Sequence, residues 1–283
     1  MTRQKRIAAI HDISGFGKCS LTVVLPIVSA AGIETSVIPT AVLSTHTGGI
    51  EGYTFHDLTS DMPAISKHWQ SLDLKFDALY SGYLGSNEQL QIVSDMFKAF
   101  KQDGNLIMVD PVMADNGILY PAFDQAFAYG MRDLCKQADI VVPNITEACF
   151  MLDIDYKDGP YDEAYIKDIL VRLCDLGPGK AVLTGVNFDN DHLGAAVYDA
   201  KTGTMGYASS DKIEGYYHGT GDVFGSALLS ALLNGFDLQQ SARIAVNFTT
   251  SAIRRTKEAG TDLRFGVDFE RALPGFMKDL NLL

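Results

Sequence analysis

Apolar positions along the chain follow two patterns. Short apolar or β-branched runs at Ile7–Ile10, Thr35–Val42, Asp77–Leu84, Leu106–Val109, Ile140–Val142 and Lys180–Gly185 predict buried strands. Between and after them, apolar residues recur at helical spacing over Ser20–Ala31, Asn87–Lys101, Ala122–Lys136, Tyr161–Asp175, Leu238–Thr256 and Asp268–Asp279, with a short helix expected after Asn144. Residues 193–199 and 204–208 alternate and predict a hairpin about Lys201–Gly203. Strands that alternate with helices imply an α/β fold, a central mostly parallel sheet with helices on both faces. No repeat, low-complexity segment or linker interrupts the pattern, so a single domain over 1–283 is expected.

One further helix stands out by what precedes it. Gly219 and Gly221 flank Thr220, Asp222 follows, and Val223, Leu228, Leu229, Leu232 and Leu233 lead to Asn234-Gly235, a helix-ending pair. A glycine turn feeding a helix N-terminus gathers backbone N–H groups and partial positive charge, a setting for phosphate. A carboxylate there repels such a ligand unless it has chemical work, such as accepting a proton from an attacking hydroxyl. Taken alone, the stretch reads equally as a tight turn with Asp222 as a cap. It is not a Walker loop, because no Lys follows, nor a Rossmann fingerprint, because Gly225 is four residues past Gly221.

Other polar residues share that position. Asp12, Ser81, Asp110, Asn144, Thr184 and Asp222 each fall just after a predicted strand, where open α/β sheets bind ligands. Their coincidence favours catalysis for Asp222. The loop Leu43–Ile50 carries hydroxyls and His46 with no evident structural task. It and Asp115–Tyr120 are candidate lids on composition.

Composition narrows the partners. With 47% hydrophobic and 20% charged residues the chain can bury a sizeable core, and its net charge of −12 argues against nucleic acid or an anionic membrane as partner. ATP remains compatible, since a metal and N–H groups neutralise it locally. The four cysteines are scattered, no secretory signal is read at the start, and no apolar run approaches a membrane span, so a cytoplasmic, reducing setting is expected. The six histidines lack zinc spacing.

The segments Ser81-Gly-Tyr-Leu-Gly-Ser86, Asp110-Pro-Val-Met113, Asn144-Ile-Thr-Glu147 and Gly219-Thr-Gly-Asp222, in that order, resemble the ribokinase-like superfamily. The first, with Leu43-Ser-Thr-His-Thr47, resembles its pyridoxal (vitamin B6) kinases. The resemblance covers nearly the whole chain. It implies ATP with Mg²⁺, a possible monovalent-cation requirement, and phosphoryl transfer to the 5′-hydroxymethyl group of a pyridine. It also implies a homodimer. Residue by residue, it implies Asp222 as base, Gly219, Thr220 and Gly221 as anion hole, Asp110 and Glu147 at Mg²⁺, Asn144, Thr184 and Glu147 at ATP, and Tyr83 and Thr47 at the ring. Asp12 stands where pyridoxal kinases usually carry a ring-touching Ser. With Ser14-Gly15 it resembles the hydroxymethylpyrimidine kinases of thiamine synthesis, and an Asp would favour a substrate bearing an amino group. A non-catalytic vitamer-binding protein is the further alternative, disfavoured by the intact Gly-Thr-Gly-Asp.

Overall fold

The computed structural model describes residues 3–283, a mixed α/β fold whose large, mostly parallel central sheet is flanked by helices. Two compact units share the chain, one ending at Asp77 and resuming over Ile213–Leu283, the other spanning Ala78–Lys212.

The first unit begins with β1 (Arg6–Ser14), α1 (Leu21–Ala30), β2 (Glu34–Leu43), β3 (Phe55–Asp57) and α2 (Met62–Ser71). β1 pairs in parallel with β2, which pairs antiparallel with β3. Ile7 to Ile10 are fully buried, as their unbroken apolar run predicts. The β1–β2 register slips between His11 and Ile13, so Asp12 lies at a bulge, the device by which strands re-aim a side chain.

The second unit carries β4 (Ala78–Ser81), α3 (Asn87–Phe100), β5 (Leu106–Val109), the short hairpin of β6 (Ala114–Asp115) and β7 (Ile118–Leu119), α4 (Gln125–Cys135), β8 (Ile140–Val141), α5 (Ile145–Leu152), α6 (Glu163–Asp175), β9 (Lys180–Val186), β10 (His192–Asp199) and β11 (Thr204–Asp211). β4, β5, β8 and β9 run parallel in the order β4-β5-β8-β9, and β10 and β11 extend this sheet antiparallel beyond β9. The chain then returns to the first unit with α7 (Thr220–Leu233), α8 (Leu238–Ala259) and α9 (Leu273–Asp279). α7 packs between α1 and α8, burying Val223, Leu228 and Leu229 completely. Among the described residues no helix is long and apolar enough to cross a membrane.

Several elements depart from the sequence pattern. β3 and α2 were not predicted: β3 is three exposed residues, and α2 buries only Met62 and Ser66. α4 starts at Gln125 rather than Ala122, because the Asp124 carboxylate accepts from the Phe127 N–H and fixes the start. The predicted helix Asp268–Asp279 begins with a 3₁₀ turn at 270–272 and becomes α-helical only from Leu273. Thr184 lies inside β9 and Asp12 inside β1 rather than past their ends. Asp222 follows no strand directly; it sits in the first turn of α7.

Candidate active site

The first unit builds one cluster around the start of α7. Gly219 enters the helix at φ +74°, and a Cβ there would stand 2.2 Å from the Lys18 carbonyl oxygen, so the turn requires glycine. A Cβ on Gly221 would meet nothing within 4 Å. The first-turn N–H groups of the helix have no intrahelical acceptor. The Thr220 hydroxyl instead donates to Tyr217 O at 3.2 Å, fastening the turn. Asp222 is partly buried, and its Oδ2 accepts the Ser20 N–H at 2.9 Å. Burial pushes its pKa up to about 7; the Ser20 N–H works against the rise and the nearby Asp12 charge adds to it.

Asp12 is 4% exposed. Ser20 Oγ donates to its Oδ1 at 2.5 Å and Ser14 Oγ to its Oδ2 at 3.0 Å. Burial raises its pKa, while these two hydroxyls and the field of His46 hold the rise back. Ser20 heads the helix predicted over 20–31, the place of a capping hydroxyl. Its side chain makes no cap bond and goes to Asp12 instead, from a backbone at φ 56°, ψ −131°. The neighbouring Lys18, also at positive φ, is held by Asp268 at 2.8 Å and Glu270 at 3.0 Å.

The Leu43–Ile50 loop proves to have structural work. The Gly48 N–H donates to His46 Nδ1 at 3.1 Å, which leaves the proton on Nε2 to be donated to Arg264 O at 2.5 Å. The His46 ring lies 4.9 Å from that of His218, and Thr47 beside it is exposed.

The second unit builds a different cluster. Asp110 follows β5 and is 6% exposed; Glu147 lies in the first turn of α5 and is 3% exposed. Glu147 and Asn144 form a capping box: Asn144 Oδ1 accepts the Glu147 N–H at 2.9 Å, and Glu147 Oε2 accepts the Asn144 N–H at 2.8 Å. Glu147 Oε1 accepts the Met113 N–H at 3.2 Å. Burial and then the Asp110 charge raise the Glu147 pKa well above the usual carboxylate range, against these two N–H donors. Asn144 Nδ2 donates to Ala114 O at 2.8 Å, and the Thr184 N–H to Pro143 O at 2.9 Å, so both residues meet at one end of the β8–β9 pair. Tyr83 is partly buried, 5.7 Å from the Phe123 ring.

Among the described residues no three acidic, His or Cys side chains gather to hold a metal. Mg²⁺ does not need such a cage; it takes one or two carboxylates and keeps its waters. Two buried acids, the charge of Asp110 raising the proton affinity of Glu147, suit such a cation. Asp222, the Gly219–Gly221 turn and Asp12 thus come together, as do Asp110, Glu147, Asn144 and Thr184. Ser14, Ser20 and His218 were missed by sequence reasoning. Ser14 and Ser20 stand among glycines with no local pattern that marks them, and a lone His218 carries no spacing signal.

A family model described as phosphomethylpyrimidine kinase matches residues 25–265. The chain belongs to that kinase family. A Bacteroides thetaiotaomicron protein assigned as a phosphomethylpyrimidine kinase, solved in an orthorhombic form with pyridoxal, is 39% identical with a TM-score of 0.93, covering 97% of this chain and 96% of its own. The pyridoxal kinase of Lactobacillus plantarum is 31% identical with a TM-score of 0.89, covering 98% of each chain. The hydroxymethylpyrimidine/phosphomethylpyrimidine kinase of Aquifex aeolicus is 24% identical over 66% of this chain and 71% of that one. The ribokinase-like expectation therefore stands, and the family includes kinases named for both rings.

Proposed function

We propose that this kinase transfers the γ-phosphoryl group of ATP to the 5′-hydroxymethyl group of B6 vitamers: pyridoxal, pyridoxine and pyridoxamine. The observation that carries the reading is Asp222, a carboxylate poised near neutrality beside the open N–H groups of the Gly219–Gly221 turn. A base titrating near the working pH combines availability with proton affinity. As the acceptor oxygen forms its bond to phosphorus, its O–H bond breaks and the proton passes to Asp222. The bond from phosphorus to the bridging oxygen breaks, and ADP leaves with that electron pair. Thr220 and Gly221 supply N–H donors to the moving phosphoryl group. Asp110 and Glu147 would hold Mg²⁺, directly or through water, and when bound it would neutralise phosphate charge. On this reading Asn144 and Thr184 are assigned to the nucleotide, and Thr47 and Tyr83 to the ring. One kinase domain, present as a cytoplasmic homodimer, completes the proposal.

The pyridine is favoured because one solved relative, 39% identical, is described with pyridoxal and another, 31% identical, is named a pyridoxal kinase. The pyrimidine reading has its own support in the family description and in Asp12-Ile-Ser14-Gly15. Incubation with Mg-ATP and each acceptor, followed by mass measurement of the product, decides between them. A gain of one phosphoryl group on the pyridines supports the proposal. Phosphorylation of hydroxymethylpyrimidine alone moves the chain to the second reading.

A further inference from the structure

Asp12 has both carboxylate oxygens taken by hydroxyls of its own chain, which leaves it poorly placed to read a ligand. Its surroundings suggest a different task. Ser20 is tied to two acids at once: its hydroxyl donates to Asp12 and its backbone N–H donates to Asp222. Its φ of 56° is one that a non-glycine residue adopts only when the surroundings hold it there. The holding groups are present on both sides. Lys18, two residues earlier, is anchored to Asp268 and Glu270, and the Cys19 carbonyl accepts the Thr22 hydroxyl at 2.8 Å. Asp12 is itself aimed by the bulge in β1 and braced by Ser14.

Accepting the phosphoryl-transfer reading above, on which this rests, we propose that Asp12 is a positioning residue for the base. It fixes Ser20 in its left-handed backbone so that the Ser20 N–H orients Asp222 Oδ2 and leaves Oδ1 toward the acceptor hydroxyl. Asp12 makes no contact with the acceptor ring. Two groups set the charge around Asp222: Asp12 itself, and the Cys19 thiol, which burial and both acids hold in its neutral form. His46 acts on Asp12 through its field, and His218 lies four residues before Asp222 in the same entry loop.

The proposal separates two variants by sign. Asp12→Asn keeps its amide oxygen as acceptor for the Ser20 hydroxyl, turns its NH2 toward the Ser14 hydroxyl, which rotates to accept, and removes a like charge, so the acid limb of kcat/KM should move to lower pH by about half a unit or more. Ser20→Ala removes the tether, loosens the N–H on Asp222, and should move that limb to higher pH, with kcat down roughly tenfold. In both, KM for the acceptor should stay within about twofold of the parent, and circular dichroism melts identify any variant that fails to fold. A carboxyl-carbon NMR titration of Asp222 in the substrate-free protein should show the same opposite shifts without any turnover.

The contrary result is a higher acceptor KM in Asp12→Asn, an unmoved acid limb, an unmoved Asp222 titration and a silent Ser20→Ala. That pattern would make Asp12 a ring contact and overturn the proposal. Its failure is distinguishable from failure of the kinase reading itself, which would show as normal turnover in Asp222→Asn or as no phosphorylated product from the parent.

Discussion

Asp222 is the base under the proposed function, and its titration makes two predictions. Below pH 7 the base is protonated, so kcat/KM should fall about tenfold per pH unit on the acid side. A pH–rate profile checks this. The second prediction concerns stability. A carboxyl whose folded pKa is raised from 3.8 to about 7 adds stability below pH 3.8 that is lost as pH climbs through 7. Asp222→Asn, which never charges, should therefore melt like the parent near pH 3.5 and above it at pH 8. The displacement bounds the gain at ~4 kcal/mol, and the water reaching a partly exposed carboxylate reduces it. Thermal melts at the two pH values test the sign. Glu147 offers a third case. Replacing it by Gln keeps an oxygen for the cap but removes charge beside Asp110, so the Mg²⁺ concentration for half-maximal turnover should rise several-fold. An unchanged Mg²⁺ titration would leave Glu147 as a helix cap alone. Asp222 and Glu147 were visible in the sequence as candidates because each stands beside a recognisable pattern, the Gly219–Gly221 turn and Asn144. Ser20 was not, since a hydroxyl ahead of an apolar helix reads as a cap, and its bonds to Asp12 and Asp222 span 8 and 202 residues.

The start of α7 is the element that turns composition into a site. Its two glycines serve different ends, and mutation separates them. Gly219→Ala places a methyl against the Lys18 carbonyl at positive φ, so it should destabilise the fold by about 1–3 kcal/mol. Gly221→Ala meets no protein atom, so its melting temperature should stay near that of the parent. Its turnover should fall at least tenfold if phosphate occupies that space, and unaltered kinetics would remove Gly221 from the anion hole. At the same scale, the capping box of α5 was visible as Asn144 and Glu147 three residues apart. β3 and α2 were invisible for the opposite reason. They bury little, so no apolar period marks them. α9 was drawn too long because its apolar spacing continues back through the 3₁₀ turn, where the backbone closes more tightly than the pattern reveals.

Across the whole chain, the fold was legible because its central strands are buried on both faces and leave unbroken apolar runs between amphipathic helices. The division into two compact units left no mark, since no linker composition separates Asp77 from Ala78 or Lys212 from Ile213. The ring that the enzyme phosphorylates was less legible still. Pyridine and pyrimidine acceptors both offer a hydroxymethyl arm on a flat ring, and the residues around such rings carry no motif as sharp as Gly-Thr-Gly-Asp. The central claim is that Asp222 is the base of a B6-vitamer kinase. Its most direct test is ADP release from Mg-ATP with pyridoxal as acceptor, measured side by side for the parent chain and Asp222→Asn, with binding of both substrates followed by calorimetry. The account predicts turnover in the parent and a loss of roughly 10²–10⁴ in kcat for the variant, at unchanged affinity for ATP and pyridoxal. Turnover within a few-fold of the parent in Asp222→Asn would contradict it.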